Sequence, residues 1–560
     1  MSNKTKLELS WIGKENRPRL EPRILLEDPE KSYHAQHRVT DHDLFDNRLI
    51  FGDNLLALKA LEQEYAGKIK CIYIDPPYNT GSAFEHYDDG VEHSLWLSLM
   101  RDRLELLRGL LRDNGSIWIS IDDHEMPYLR VLMDEVFGRQ NFVAQCIWEK
   151  VYSPKSSAKF LSENHDYIVC YAKDVSRWER NLLSRTEKQD KAYKNPDNDP
   201  RGPWKPGDLS ARNYYSIGRY PITCPSGREI SGPPQGMYWR VSKERLKELD
   251  QDRRIWWGKD GNNVPAIKRF LSEVISGVVP ETIWTYQEVG HNQAAKQHLK
   301  ELLPNVEDLF VTPKPEGLVE RILTIATNPT DWVLDSFAGT GTTGAAAHKM
   351  GRRWIMVELG EHCHTHIIPR LKKVVDGTDQ GGISEAVNWK GGGGFRYYRL
   401  APSLLERDKW GNWVISEKFN AAMLAEAVCK LEGFVYAPSD TVYWQHGHST
   451  ERDFIYVTTA HLSHDQLQQL SDEVGSDRSL LVVCSAFRGH KDGYGNLTVK
   501  KIPKAVLSGC EWGKDDYSLK VENLPKAPPP KGQMELIPAD GDGMKPSDST
   551  REGNARQEAT

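Results

Sequence analysis

The chain has 560 residues, more than one ordinary hydrophobic core organises, so two to four domains are expected. Hydrophobic residues make up 39% and charged residues 27%, the profile of a soluble globular protein; no apolar run approaches the roughly 20 residues of a membrane span, and the polar Met1–Ser10 lacks the apolar core of a secretory signal. The net charge of −6 argues against a nucleic-acid partner only as an average, because residues 151–270 hold 23 Lys and Arg against 15 Asp and Glu, a local +8 that leaves −14 for the remainder.

In chain order, residues 1–45 are polar and read as an N-terminal arm packed on a later domain. Arg48–Phe51 is strand-like, Gly52-Asp53-Asn54 is a turn, and Leu55, Leu58 and Leu61 mark an amphipathic helix. Ile69–Ile74 is nearly all apolar, as expected of a parallel strand covered on both faces, and it ends at Asp75. Trp96, Met100, Leu104, Leu107 and Leu111 recur at helical spacing, Asp113-Asn114-Gly115 stops that helix, and Ser116–Ile121 is the next strand. A helix to about Phe137 and a strand at Tyr167–Tyr171 complete a catalytic half, residues 46–175. From 176 to 308 the periodicity breaks up into a Pro-, Gly-, Arg- and Trp-rich insertion, expected to read DNA, with one or two of its tryptophans facing the duplex. The alternation resumes with a helix through Leu318, Ile322 and Ile325, a strand at Trp332–Leu334, and a strand at Trp354–Glu358, giving a second half, 309–395. Gly391–Gly394 reads as a linker, 396–525 as a separate C-terminal α/β domain, and 526–560 as a disordered tail. The alternation of strands and helices predicts a doubly wound α/β sheet. Eight scattered cysteines without Cys-x-x-Cys pairs suit a cytoplasmic location and argue against a disulfide framework or a zinc site.

The chemistry is concentrated at two strand ends. Asp75-Pro76-Pro77-Tyr78 follows the first buried strand, where open parallel sheets bind their ligands. An exocyclic amino nitrogen is a poor nucleophile because its lone pair is delocalised into the ring. A carboxylate from Asp75 and a rigid carbonyl from Pro76, accepting its two hydrogens, free that lone pair; Pro77 stiffens the loop; and Tyr78 offers a face for an extruded base. At the second strand end, Asp335-Ser336-Phe337-Ala338-Gly339-Thr340-Gly341-Thr342 is a glycine turn that permits close ligand approach. Glu358 ends the next strand 23 residues after Asp335, in place to accept from ribose hydroxyls. Asp53, with Asn54 in the same turn, is a further candidate for the cofactor. No Gly-Lys-Ser/Thr phosphate loop is present.

The order of Gly52-Asp53-Asn54, Asp75-Pro76-Pro77-Tyr78-Asn79-Thr80-Gly81, a large insertion, Thr312-Pro313-Lys314-Pro315-Glu316 and the glycine turn resembles the β group of DNA amino-methyltransferases. In particular it is similar to the modification subunits of type III restriction systems. The resemblance covers 46–175 and 309–375. It implies a circularly permuted Rossmann-like methyltransferase domain, S-adenosylmethionine as methyl donor, the insertion as target-recognition domain, and Lys314 in the cofactor pocket. It also implies double-stranded DNA as substrate, adenine N6 as acceptor, a homodimer, and a separate restriction subunit carrying helicase and nuclease domains. Ser336 departs from the proline of many relatives. Aspartate rather than serine at position 75 favours adenine over cytosine N4. Alternatives are a cytosine-N4 enzyme, an RNA or protein-glutamine methylase, and a DNA-binding scaffold whose 396–525 domain docks a partner. His362, Cys363, His364 and His366 mimic a metal cluster but lack a complementary ligand pair, so no metal is expected. Asp122-Asp123 reads as loop acids and helix caps.

Overall fold

The computed structural model describes residues 8–78, 89–274, 277–306, 312–488, 493–502 and 510–518. The expected Asn79-Thr80-Gly81 continuation and the 526–560 tail lie outside them. The arm supplies two short strands, β1 (Leu25–Glu27) and β2 (Tyr33–His34). Then come β3 (Asn47–Phe51), α1 (Asn54–Tyr65), β4 (Ile69–Ile74), α2 (Asp89–Leu110), β5 (Leu111–Ile121), β6 (Phe142–Glu149) and β7 (His165–Ala172). After the insertion follow β8 (Ile283–Trp284), α3 (Glu316–Ala326), β9 (Trp332–Asp335), α4 (Thr342–Lys349), β10 (Arg353–Glu358), α5 (Ile368–Val375) and β11 (Gly394–Leu400).

These strands form one mixed sheet in the order β1-β11-β3-β10-β9-β4-β5-β7-β6-β8, with β2 also on β11. The six from β11 to β5 are parallel; β7 runs antiparallel to β5 and β6. The side-chain alternation of β4 explains why it is apolar throughout. Cys71 and Tyr73 enter one core with Leu318 and Ile322 of α3, while Ile72 and Ile74 enter the other with Leu58 and Leu61 of α1 and Met100 and Leu104 of α2. Lys70, the one charged residue in the strand, sends its ammonium out to the Asn114 carbonyl at 2.6 Å. The doubly wound sheet expected from the sequence is therefore present.

β9 and β10, from the second half of the chain, lie between β3 and β4. Leaving β4 the chain turns into α2 on one face; leaving β9 it turns into α4, whose Ala346 and Ala347 pack on the opposite face. The carboxyl ends of β4 and β9 thus border the crevice of a topological switch point.

Three expectations are corrected. Asp113-Asn114-Gly115 does not end the helix: β5 already starts at Leu111, and the triplet sits where its register against β4 jumps, between the Ile69–Leu111 and Cys71–Ser116 pairs. Gly391–Gly394 is not a linker. Its first three glycines have φ of 94°, 109° and 72°, and a Cβ at Gly392 or Gly393 would lie 2.7 Å from Asp43 or 2.6 Å from the Leu44 carbonyl. Only glycine passes there, and it leads straight into β11, so the boundary expected at 395/396 falls inside a strand of the main sheet. β8, counted with the insertion, joins that sheet beside β6.

The insertion builds a three-stranded sheet from 204–208, 255–256 and 266–270, and a small core of Leu209, Ile222, Trp239, Leu246 and Ile255. Trp204, Trp239 and Trp284 are buried, leaving Trp178, Trp256 and Trp257 partly exposed. Residues 421–501 form a five-stranded sheet with helices at Ala421–Leu431 and His464–Val474. Among the described residues no helix is long and apolar enough to cross a membrane.

Candidate active site

The two strand ends open into one cavity of about 670 Å³, lined by Asp75, Pro76, Pro77 and Tyr78 on one side and by Asp53, Asn54, Phe337, Gly339 and Glu358 on the other. Lys314, carried to the same cavity just ahead of α3, places its Nζ 2.5 Å from Asp75 Oδ2 and 5.1 Å from the centre of the Tyr78 ring. The other Asp75 oxygen, Oδ1, is buried and has no hydrogen-bond partner among the described residues. A buried carboxylate oxygen without a donor is costly, so the cavity is built with an acceptor kept open for a ligand. The loop is held from behind: Trp96 Nε1 of α2 donates to the Pro77 carbonyl at 2.7 Å. The Tyr78 hydroxyl lies 3.5 Å from Asp166 Oδ2, and Lys150 clamps Asp166 Oδ1 at 2.6 Å. Burial and the nearby Asp75 push the Tyr78 phenol well up, keeping it neutral. Burial likewise raises the Asp166 carboxyl against the pull of Lys150.

On the second side, Asp53 caps α1 through Leu55 N and Leu56 N, at 2.9 and 3.2 Å, and sits 3.6 Å from the buried Arg103 of α2. Arg103 donates to Asn54 Oδ1 at 2.5 Å, and Asn54 Nδ2 donates to the Ser336 carbonyl at 2.7 Å. The turn after β3 and the turn after β9 are thereby tied together. A segment from the far end of the chain closes over them: Tyr517 N donates to Asp53 Oδ2 at 2.8 Å, and Ser518 lines the cavity. Glu358 accepts from Gly339 N at 2.8 Å and from Leu359 N and Gly360 N at 2.9 Å, and His362 pairs with it at 3.0 Å.

Not every expected cofactor residue faces the cavity. Asp335, Ala338, Gly341 and Thr342 do not line it; they shape the turn. Asp335 accepts from Phe337 N at 2.9 Å and from Thr343 Oγ1 at 2.5 Å. Gly341 caps α4 at φ 75°, and a Cβ there would meet Ile367 at 3.0 Å. Thr342 Oγ1 donates to the Lys314 carbonyl at 3.1 Å and so fixes the backbone that presents Lys314.

Burial pushes the Asp335 carboxyl up to about 7, although Thr343 and Phe337 pull it down. The folded protein therefore keeps a proton that the unfolded chain, titrating near the ordinary aspartate value of about 3.9, has already released. Its contribution to stability falls as pH rises from about 4 to about 7 and is flat above that. Asp335→Asn should remove this slope. In urea titrations the variant gains stability relative to the parent between pH 5 and pH 8; a constant difference across that range would place the Asp335 pKa elsewhere.

Arg103, Trp96, Lys150, Asp166 and Tyr517 were not anticipated. Only Arg103 left a signal, as a charge set within the apolar stripe of α2 between Met100 and Leu107. Of the histidines, His364 contacts Glu361 and the Tyr397 hydroxyl, at 3.0 and 2.8 Å, while His362 turns to Glu358. Among the described residues, His298, Glu316 and Asp379 are close enough to share an ion. That position is served by Lys349, whose ammonium lies 2.8 Å from Glu316 and 2.7 Å from Asp379.

A family model described as DNA methylase matches residues 69–369. The chain is 32% identical over 354 residues to the type III restriction-modification enzyme StyLTI Mod subunit of Salmonella typhimurium, covering 58% of this chain and 52% of that one. It is 32% identical to the type II methyltransferase M.EcaI of Enterobacter cloacae, over 56% of this chain and 67% of that one. It is 28% identical to the type III EcoP15I Mod subunit of Escherichia coli, over 64% and 65% respectively. The chain spans about half the length of two of the type III subunits it matches.

Proposed function

The chain belongs to the DNA methylase family, and from that premise we propose that it is a site-specific DNA methyltransferase acting on adenine N6 in duplex DNA with S-adenosylmethionine as donor. Asp75 carries this reading. Its Oδ1 is an unpartnered buried acceptor at the end of β4 while Lys314 holds Oδ2, the arrangement an exocyclic amine needs in order to lose its planarity. The residues present fit the donor: the same cavity offers carboxylates at Asp53 and Glu358, a turn at Phe337 and Gly339, and direct continuity with Asp75. When bound, S-adenosylmethionine supplies an electrophilic methyl group.

Asp75 Oδ1 accepts one amino hydrogen and the Pro76 carbonyl the other, and the lone pair turns to the cofactor side. Tyr78 stacks on the extruded base, its ring backed by Lys314 and its hydroxyl steadied by Asp166. Alignment of amine and methyl in one cavity supplies up to roughly 7–11 kcal/mol. After transfer, the methylated nitrogen carries one surplus proton, which it gives up to Asp75 Oδ1 and from there to solvent. Residues 176–282 serve as the target-recognition module. The likeness to type III and type II modification enzymes supports a place in a restriction or phage-defence system; there we read the chain as a cytoplasmic homodimer, with the residues that follow β11 available to dock a separate restriction subunit.

Incubation with methyl-labelled S-adenosylmethionine and mixed-sequence duplex DNA, followed by nucleoside analysis, tests the reading. Label is expected in N6-methyladenine. Label in N4-methylcytosine keeps the mechanism and changes the base; no label in DNA, with cofactor bound, rejects the enzyme reading in favour of a scaffold.

A further inference from the structure

We propose that the loop joining β6 to β7, residues 151–164, enters the base stack of duplex DNA and fills the space left by the extruded base, with Phe160 and Leu161 as the inserted side chains; this rests on the methyltransferase reading above. The loop rises from the rim of the catalytic cavity. Its foot is closed by Lys150 N and Val151 N donating to the Asn164 carbonyl, at 2.9 and 3.3 Å, and Lys150, Glu163 and Asp166 at that foot line the cavity itself. Its shape is set by its own bonds: Lys155 N donates to Ser162 Oγ at 2.8 Å, and Ser162 Oγ donates to Asn164 Oδ1 at 2.6 Å.

At the tip, Phe160 and Leu161 are 84% and 88% exposed, the two most exposed large apolar side chains among the described residues. A single exposed apolar residue is ordinary. An adjacent pair, held out on a loop beside the pocket where a base must enter, is the form of an apolar wedge that unstacks a base step. The loop's charge selects the partner. Lys155 and Lys159 both precede the pair, with the Lys159 ammonium 5.1 Å from the Phe160 ring centre, so the same loop offers phosphate contacts beside the apolar tip. A wedge lowers the cost of holding the base out, a cost that is smallest when the base is already unpaired.

The recognition sequence is first mapped by single-molecule sequencing of plasmid DNA methylated by the full chain. Two duplexes then carry that sequence, one fully paired and one with an abasic position opposite the target adenine; a third carries 2-aminopurine in place of the target. The Phe160→Ser/Leu161→Ser variant is expected to keep cofactor binding, to lose methyl transfer on the paired duplex by on the order of 10- to 100-fold, and to lose the 2-aminopurine fluorescence rise. The abasic duplex should restore most of its rate. Parental rates on the paired duplex overturn the wedge and leave the methyltransferase standing. An equal loss on both duplexes also overturns it, assigning the tip to plain DNA affinity or to a protein partner. Absence of transfer by the parent chain on any DNA overturns both.

Discussion

Asp75→Asn should lose methyl transfer by on the order of 10²–10⁴-fold while still binding cofactor and DNA. The substitution changes almost no volume, and the loop stays pinned by Trp96 on the Pro77 carbonyl. What changes is donor and acceptor count. Lys314 already presents an N–H to one oxygen, so the asparagine must keep its carbonyl there and turn its amide towards the incoming amine. Two donors then face each other where the reaction needs an acceptor. Single-turnover measurement with labelled cofactor separates this from a binding defect: the dissociation constants stay within a few-fold and the transfer rate collapses. Equal loss of cofactor affinity would show instead that Asp75 holds the donor.

Lys349→Met should be the most damaging single change to stability, at about 3–5 kcal/mol. Lys349, Glu316 and Asp379 have fully buried side chains, and Arg370 pairs with Glu316 at 2.8 Å. Burial alone would raise both carboxyls; His298 and Lys349 hold Asp379 well below the usual range, and Arg370 and Lys349 lower Glu316. Their folded pKa values are depressed, so the stabilisation is present above the unfolded value of about 4 and is lost as pH falls below it. Methionine fills the space but leaves two buried carboxylates short of a cation. Denaturant titration at pH 7 should show the full loss, narrowing in acid. A loss below about 1 kcal/mol would mean that Arg370 and His298 suffice. Because Glu316 follows Lys314 by two residues, this network also anchors the segment that presents Lys314 to Asp75.

Most of the sheet and the chemical core of the site could be read from residues alone. Ile69–Ile74 is apolar because both faces are covered, and a buried parallel strand ending in Asp75-Pro76-Pro77-Tyr78 needs no partner sequence to be recognised. Glycines at 339 and 341 follow from the demands of a tight turn, and the carboxylate at 358 from its place at the end of the next strand, beside that turn. Those features depend on local backbone geometry, which neighbouring residues dictate. The glycine run at 391–394 misled for the same reason: locally it is the composition of a linker, and only the proximity of Asp43 and Leu44 shows that close packing, not freedom, demands it.

What only the tertiary structure decided are the contacts between residues far apart in the chain. Lys314 reaches Asp75, Arg103 reaches Asp53 and Asn54, Asp166 reaches Tyr78, and Tyr517 closes over Asp53. Lys314 stands in a recognisable segment and Arg103 interrupts an apolar stripe, but which residue each one meets is set by the packing of distant segments and no local pattern announces it. The same distance explains the division of labour among the expected cofactor residues. The sequence determines that a turn forms at 335–342; the packing of α4 and Lys314 against it decides that Asp335 and Thr342 face inward to hold it, while Phe337 and Gly339 face the cavity.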